Sequence, residues 1–114
     1  MDIPEIKDQI ETILDNNKAK NIVSIDLRKK SYIADYMVIA SGTSSRHLQS
    51  LSENLISELK KIGVYNCRME GRDSSDWKLV DAIDIIIHIF HLLHCNRFFC
   101  LLIKVLSRKH NNFS

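Results

Sequence analysis

The sequence predicts a mixed α/β (α+β) fold in the order αββαβββ, and three observations predict it. Two segments, Ile3 to Leu14 and Leu48 to Ile62, repeat apolar residues at helical spacing. Five short segments bounded by polar or turn residues read as strands. The strands flanking the second helix must be parallel if they share a sheet, while the short turn after Gly71 favours a hairpin. The five-stranded sheet is therefore expected to be mixed.

Asp2 is placed to cap the first helix, with Pro4 in its first turn, and Ile3, Ile6, Ile10, Ile13 and Leu14 form its stripe up to Asn16-Asn17. Asn21 to Leu27 alternates and reads as a strand with one buried face. Tyr36 to Ala40 suits a short buried strand that Gly42 ends. Thr43-Ser44-Ser45 offers hydroxyl caps for the second helix, whose stripe is Leu48, Leu51, Leu55, Leu59 and Ile62, with Gly63 as its stop. Val64 to Glu70, Asp76 to Val80 and Ile83 to Phe90 supply the last three strands, the first two joined by the turn Gly71 to Ser75.

The 114 residues allow one compact domain, and 45% hydrophobic with 26% charged residues is ordinary globular usage. The net charge of +2 hides an asymmetry. Up to Phe90 there are 12 basic and 14 acidic residues, whereas His91 to Ser114 carries Arg97, Lys104, Arg108 and Lys109 and no acid. A mildly acidic body argues against sequence-specific nucleic-acid binding and favours a basic protein as partner. The start, Met1 to Glu5, has neither the basic n-region nor the apolar run of a secretory signal. The tail run Phe98 to Leu106 is too short to span a membrane. Cys67, Cys95 and Cys100 form no disulfide framework. Together these imply a cytoplasmic protein.

Chemistry-bearing motifs have plainer readings. Gly42 to Arg46 lies where helix N–H groups hold phosphates, but a single glycine and no P-loop lysine favour simple capping. Asp81 and Asp84 are three apart, so in an extended strand they point to opposite faces and cannot share one metal ion without a bulge or turn between them. His88, His91, His94 and Cys95 fit no metal-ligand spacing. Cys67 and Ser41 lack a histidine placed as a base. No cofactor, metal or catalytic residue is assigned, and no enzyme activity is expected.

Four ordered blocks carry a resemblance: Ile33 to Arg46, Met69-Glu70-Gly71, Asp76 to Asp81, and Asp84 to Phe90. Over about Ile3 to Phe90 the chain resembles the ribosomal silencing factor (Iojap-like) family. The resemblance implies a nucleotidyltransferase-like fold without transferase chemistry. It also implies a factor that binds a basic large-subunit ribosomal protein at the intersubunit face, blocks subunit joining when nutrients are short, and can form a homodimer off the ribosome. The residues expected at the partner surface are Trp77, Asp81, Asp84 and His88, bordered by Asp35, Tyr36 and Arg46. A small nucleotidyltransferase or nucleotide-binding enzyme is the alternative, and an inactive truncated family member is another.

Two departures stand out. Between its two acids the family commonly has an aromatic and then a small residue, where this chain has Ala82-Ile83. The family then continues into an acidic amphipathic helix, whereas residues 91–114 form a divergent basic tail, as a reading-frame change would produce. The chain thus divides into a silencing-factor domain, 1–90, and a tail expected to be poorly ordered or to self-associate through Phe98 to Ile103.

Overall fold

The computed structural model describes residues 2–29, 32 and 34–94. They form α1 (Ile3–Asn16), β1 (Lys20–Asp26), β2 (Tyr36–Gly42), α2 (Ser45–Lys61), β3 (Arg68–Glu70), β4 (Trp77–Asp81), β5 (Ile85–His91) and a 3-10 turn at Leu92–His94. The expectations for Cys95, Cys100 and the Phe98 to Ile103 run lie outside the described residues.

The sheet is mixed, with strand order β1-β2-β5-β4-β3. β2 and β5 pair in parallel, from Tyr36 with Ile85 to Gly42 with His91. The other three pairings are antiparallel. β2 and β3, which flank α2, run the same way without touching, because β5 and β4 lie between them. The crossover through α2 therefore spans most of the sheet, and both helices pack on one side.

That side holds the main core. Ile10, Ile13 and Leu14 of α1 and Leu48, Leu51, Leu55 and Leu59 of α2 meet Val38, Ala40, Val80, Ile85, Ile87 and Ile89 of the sheet. The predicted helical stripes are thus the buried ones. All seven residues of β2 are buried.

The helix ends follow from local chemistry. At the start of α2 the Ser44 hydroxyl accepts the His47 N–H at 3.0 Å. At its end the Gly63 N–H reaches the Lys60 carbonyl and the Val64 N–H the Leu59 carbonyl, a Schellman stop that needs the positive φ of Gly63, +95°. This stop corrects the third strand. Val64 to Cys67 carries the chain from the helix back toward the sheet, with Val64 and Cys67 packed on the core, so β3 is only Arg68–Glu70.

Two further corrections concern β1 and the β4–β5 turn. β1 was expected to bury one face, but it is an edge strand with a bulge near Asn21, partly covered on both sides. Ile83 was expected to open the last strand and instead sits in the turn, 56% exposed, with φ +72°. Its N–H donates to Asp81 Oδ1 at 2.9 Å, and the Asp84 N–H closes across it onto the Ala82 carbonyl. Positive φ is costly for a β-branched residue, and the first position of a two-residue hairpin turn of this kind draws glycine.

Ile83→Gly is expected to relieve this strain by more than glycine's entropic cost and to stabilise the fold by about 1 kcal/mol. A higher urea midpoint with an unchanged slope would show it. A lower midpoint would mean that Ile83 contributes more by packing than it costs in backbone strain.

Candidate functional site

Strand alternation splits β4 and β5 between two faces. Val80, Ile85, Ile87 and Ile89 turn to the helices. Trp77, Leu79 and Asp81 turn away, and register places them opposite Phe90, His88 and Ile86 respectively. Among the described residues no helix covers this second face.

One end of the face is closed by a small cluster of Leu27, Met37, Ile39 and Phe90, against which Ile25 and Trp77 pack while staying partly exposed. The rest is a row of half-buried side chains: Leu79 and Asp81 on β4, Ile86 and His88 on β5. Arg68 and Glu70 stand exposed on edge strand β3. Trp77 to Asp81 covers about 13 Å, four strand rises. At the Asp81 end the face runs into an open hollow of about 640 Å³ bordered by Tyr65, Cys67, Arg68, Asp81, Ile83 and Ile86.

Trp77 is fixed from its own turn. Gly71, at φ +77°, lies under the indole so closely that a Cβ there would come within 2.7 Å of the ring. The Trp77 N–H donates to the Ser74 hydroxyl at 3.2 Å. The ring is therefore half core and half surface.

His88 lies near the middle of the face, stacked on Phe90 with ring centroids 5.8 Å apart and an interplanar angle of 7°. Its buried Nδ1 has no hydrogen-bond partner among the described residues. Burial pushes the imidazole below its usual range, so the ring is neutral at pH 7.

Three acids gather at the sheet end where β4 stops and β2 and β5 start. Asp81 holds the turn through Ile83, Asp84 is exposed, and the Asp84 carbonyl accepts the Asp35 N–H at 2.8 Å. The turn between Asp81 and Asp84 places both acids at this end, rather than on opposite faces of one extended strand. Tyr36 does not join this face. It is buried on the helix side, with Arg28 at 5.2 Å and Lys7 at 5.7 Å from its ring centre. Arg46 is exposed in the first turn of α2, which follows the opposite end of β2.

The structure thus assembles Trp77, Asp81 and His88 on one face, sets Asp84 and Asp35 at its lower end, and leaves Tyr36 and Arg46 elsewhere. Leu79 and Ile86 also belong to the face. The sequence reading does not single them out, and strand alternation is the signal that could have.

The motifs with chemical overtones have structural jobs. The Thr43 N–H is taken by His47 Nδ1 at 3.0 Å and the His47 N–H by Ser44, so these amides serve capping. A Cβ at Gly42 would meet Leu48 Cδ2 at 2.7 Å, so the glycine lets α2 approach the strand end. Cys67 donates weakly to the Val64 carbonyl, and burial raises its thiol pKa, keeping it protonated. Ser41 is fully buried in β2. His88 and His91 fall on opposite faces of β5. Among the described residues no three His, Cys, Asp or Glu side chains are grouped to hold a metal ion, and no helix is long and apolar enough to cross a membrane.

A five-stranded mixed sheet with two helices on one side and a tryptophan-bearing row on the other defines a small α+β protein, one of whose sheet faces no helix covers among the described residues. The chain belongs to the ribosomal silencing factor family: the family model described as "Ribosomal silencing factor during starvation" matches residues 1–94. It is 48% identical over 77 residues to the ribosomal silencing factor of Zymomonas mobilis, covering 68% of this chain and 58% of that protein. It is 45% identical over 76 residues to that of Haemophilus influenzae, covering 67% and 74%. A crystal structure of a Chromobacterium violaceum protein superposes with a TM-score of 0.81 at 30% identity, over 88% of this chain and 83% of that one. The chain thus spans less than two thirds of its Zymomonas relative.

The lowered pKa of His88 gives a sign-definite prediction. Above the ordinary histidine value of 6.5 both folded and unfolded states keep the ring neutral, and its contribution is fully present. As pH falls below 6.5 the unfolded chain takes up the proton first, so stability drops until the folded pKa is reached. Urea melts at pH 8 and pH 5 should show His88→Phe losing less stability than the parent. Equal losses would mean that His88 is not desolvated.

Proposed function

We propose that this chain is a ribosomal silencing factor that acts by occlusion and carries out no chemistry of its own. Its Trp77-bearing sheet face docks on a basic protein of the large ribosomal subunit at the intersubunit side and blocks the joining of the subunits. Translation is thereby repressed when nutrients are short. The family model's description and the printed names of the relatives support this reading. The observation that carries it is the row Trp77, Leu79, Asp81, Ile86 and His88.

Such a row has the make-up of an interface. Interfaces concentrate their affinity in a few aromatic anchors set in apolar surroundings, and acids at the rim steer a cationic partner. Trp77 supplies the anchor and Asp81 and Asp84 the rim. A neutral His88 can lose its remaining water without the cost of desolvating a charge. The mildly acidic body fits a basic partner in the cytoplasm. A homodimer off the ribosome would use the same kind of surface.

The test is sedimentation of the purified full chain with isolated large subunits, followed by addition of small subunits. Co-sedimentation and a reduced yield of joined ribosomes support the proposal. Absence of binding, or binding without loss of joining, overturns it. Asp84→Lys is expected to weaken binding by about tenfold at low salt, with most of the difference gone at high salt. Because Asp84 is exposed, the melt should stay within about 0.5 kcal/mol of the parent.

A further inference from the structure

Among the described residues Lys78 is the one buried lysine, at 3% exposure. It lies next to Trp77 on β4, and its side chain runs to the side of the strand opposite the indole. Its ammonium donates to three backbone carbonyls of the preceding turn: Gly71 at 2.8 Å, Arg72 at 2.9 Å and Ser74 at 2.8 Å. An ammonium has three N–H donors, so the set is complete. Carbonyl oxygens converging on one cation form a small cage, with the lysine in the place a bound metal ion would take in other loops.

The same turn touches Trp77 on its other flank. Gly71 lies against the indole, and the Ser74 hydroxyl accepts the N–H groups of both Asp76 and Trp77. Two of the three residues that Lys78 gathers are therefore the two that hold the tryptophan. The remaining side chains at the tip, Arg72 and Asp73, are exposed beside it.

We propose that Lys78 is the positioning residue of the Trp77 anchor: its ammonium locks the Gly71 to Ser74 turn, and the locked turn sets the indole in its docking orientation before the partner arrives. This rests on the docking role proposed for the face. The physical gain is preorganisation. An anchor already held in its bound geometry loses less freedom on association, and a turn that loses its ammonium keeps only the Ser74 N–H to Gly71 carbonyl bond across it and would loosen.

The experiment compares the parent with Lys78→Met, Trp77→Ala and the double variant, all in the full chain. Trp77 is the sole tryptophan, so its fluorescence reports the turn directly. Lys78→Met should keep a cooperative melt while the indole becomes more mobile and more accessible to a soluble quencher. Affinity for isolated large subunits should fall by about tenfold, and adding Lys78→Met to Trp77→Ala should cost almost nothing more, because the lysine acts through the tryptophan. Unchanged fluorescence, or losses that simply add in the double variant, overturns the proposal. If Lys78→Met does not fold, Lys78→Gln, whose shorter neutral amide has two N–H donors in place of three, is read in the same way. If the parent itself fails to bind large subunits, the docking role is wrong, while the fluorescence comparison still decides whether Lys78 positions the indole.

Discussion

The parallel pairing of β2 with β5 is the constraint on which the rest of the molecule depends. β2 is buried along its whole length, and β5 runs beside it over seven residue pairs. A parallel pair cannot be joined by a tight turn, so the chain between them must leave the sheet and return. It does so through α2, β3 and β4. This route places α2 across the sheet beside α1 and fills the outer sheet positions with β4 and β3. Because both helices are committed to one side, the other side is left with a small cluster and a half-buried row.

The uncovered face is where local energetics are least favourable. A neutral histidine there has a buried nitrogen without a partner among the described residues, and an isoleucine at the adjacent turn stands at positive φ. A buried ammonium a few residues away is held only by carbonyls. The orphaned nitrogen and the positive φ each cost free energy that a purely structural sheet edge has no reason to carry, and the ammonium is costly only if its carbonyls are withdrawn. Their concentration around β4 and its two turns is what the docking proposal accounts for.

Much of the fold was legible because it depends on periodicity. The stripes of α1 and α2, the buried run of β2 and the hairpin after Gly71 all follow from spacing and turn residues. The length of β3 was not legible, since Val64 and Cys67 are apolar for packing under the helix end and only the Schellman stop at Gly63 shows that the strand has not begun. Ile83 misled for a related reason: its apolar side chain continues the run of β5, while its backbone belongs to the turn. For the candidate site, the resemblance named Trp77, Asp81 and His88, and alternation along β4 and β5 is what sets them on one face. Tyr36 was expected at the border of the site, but it opens β2 with its ring buried on the helix side. Lys78 gave no signal, because its burial depends on carbonyls four to seven residues earlier that converge only in the folded turn.

The central claim is that the sheet face, rather than the helical side, meets the large subunit. Hydroxyl-radical footprinting of the full chain, free and bound to isolated large subunits, tests it most directly. Trp77, Leu79 and His88 should become protected on binding, while the exposed residues along the outer side of α2 keep their reactivity. Protection confined to the helices, with Trp77 and His88 as reactive in the complex as in the free protein, would contradict the account.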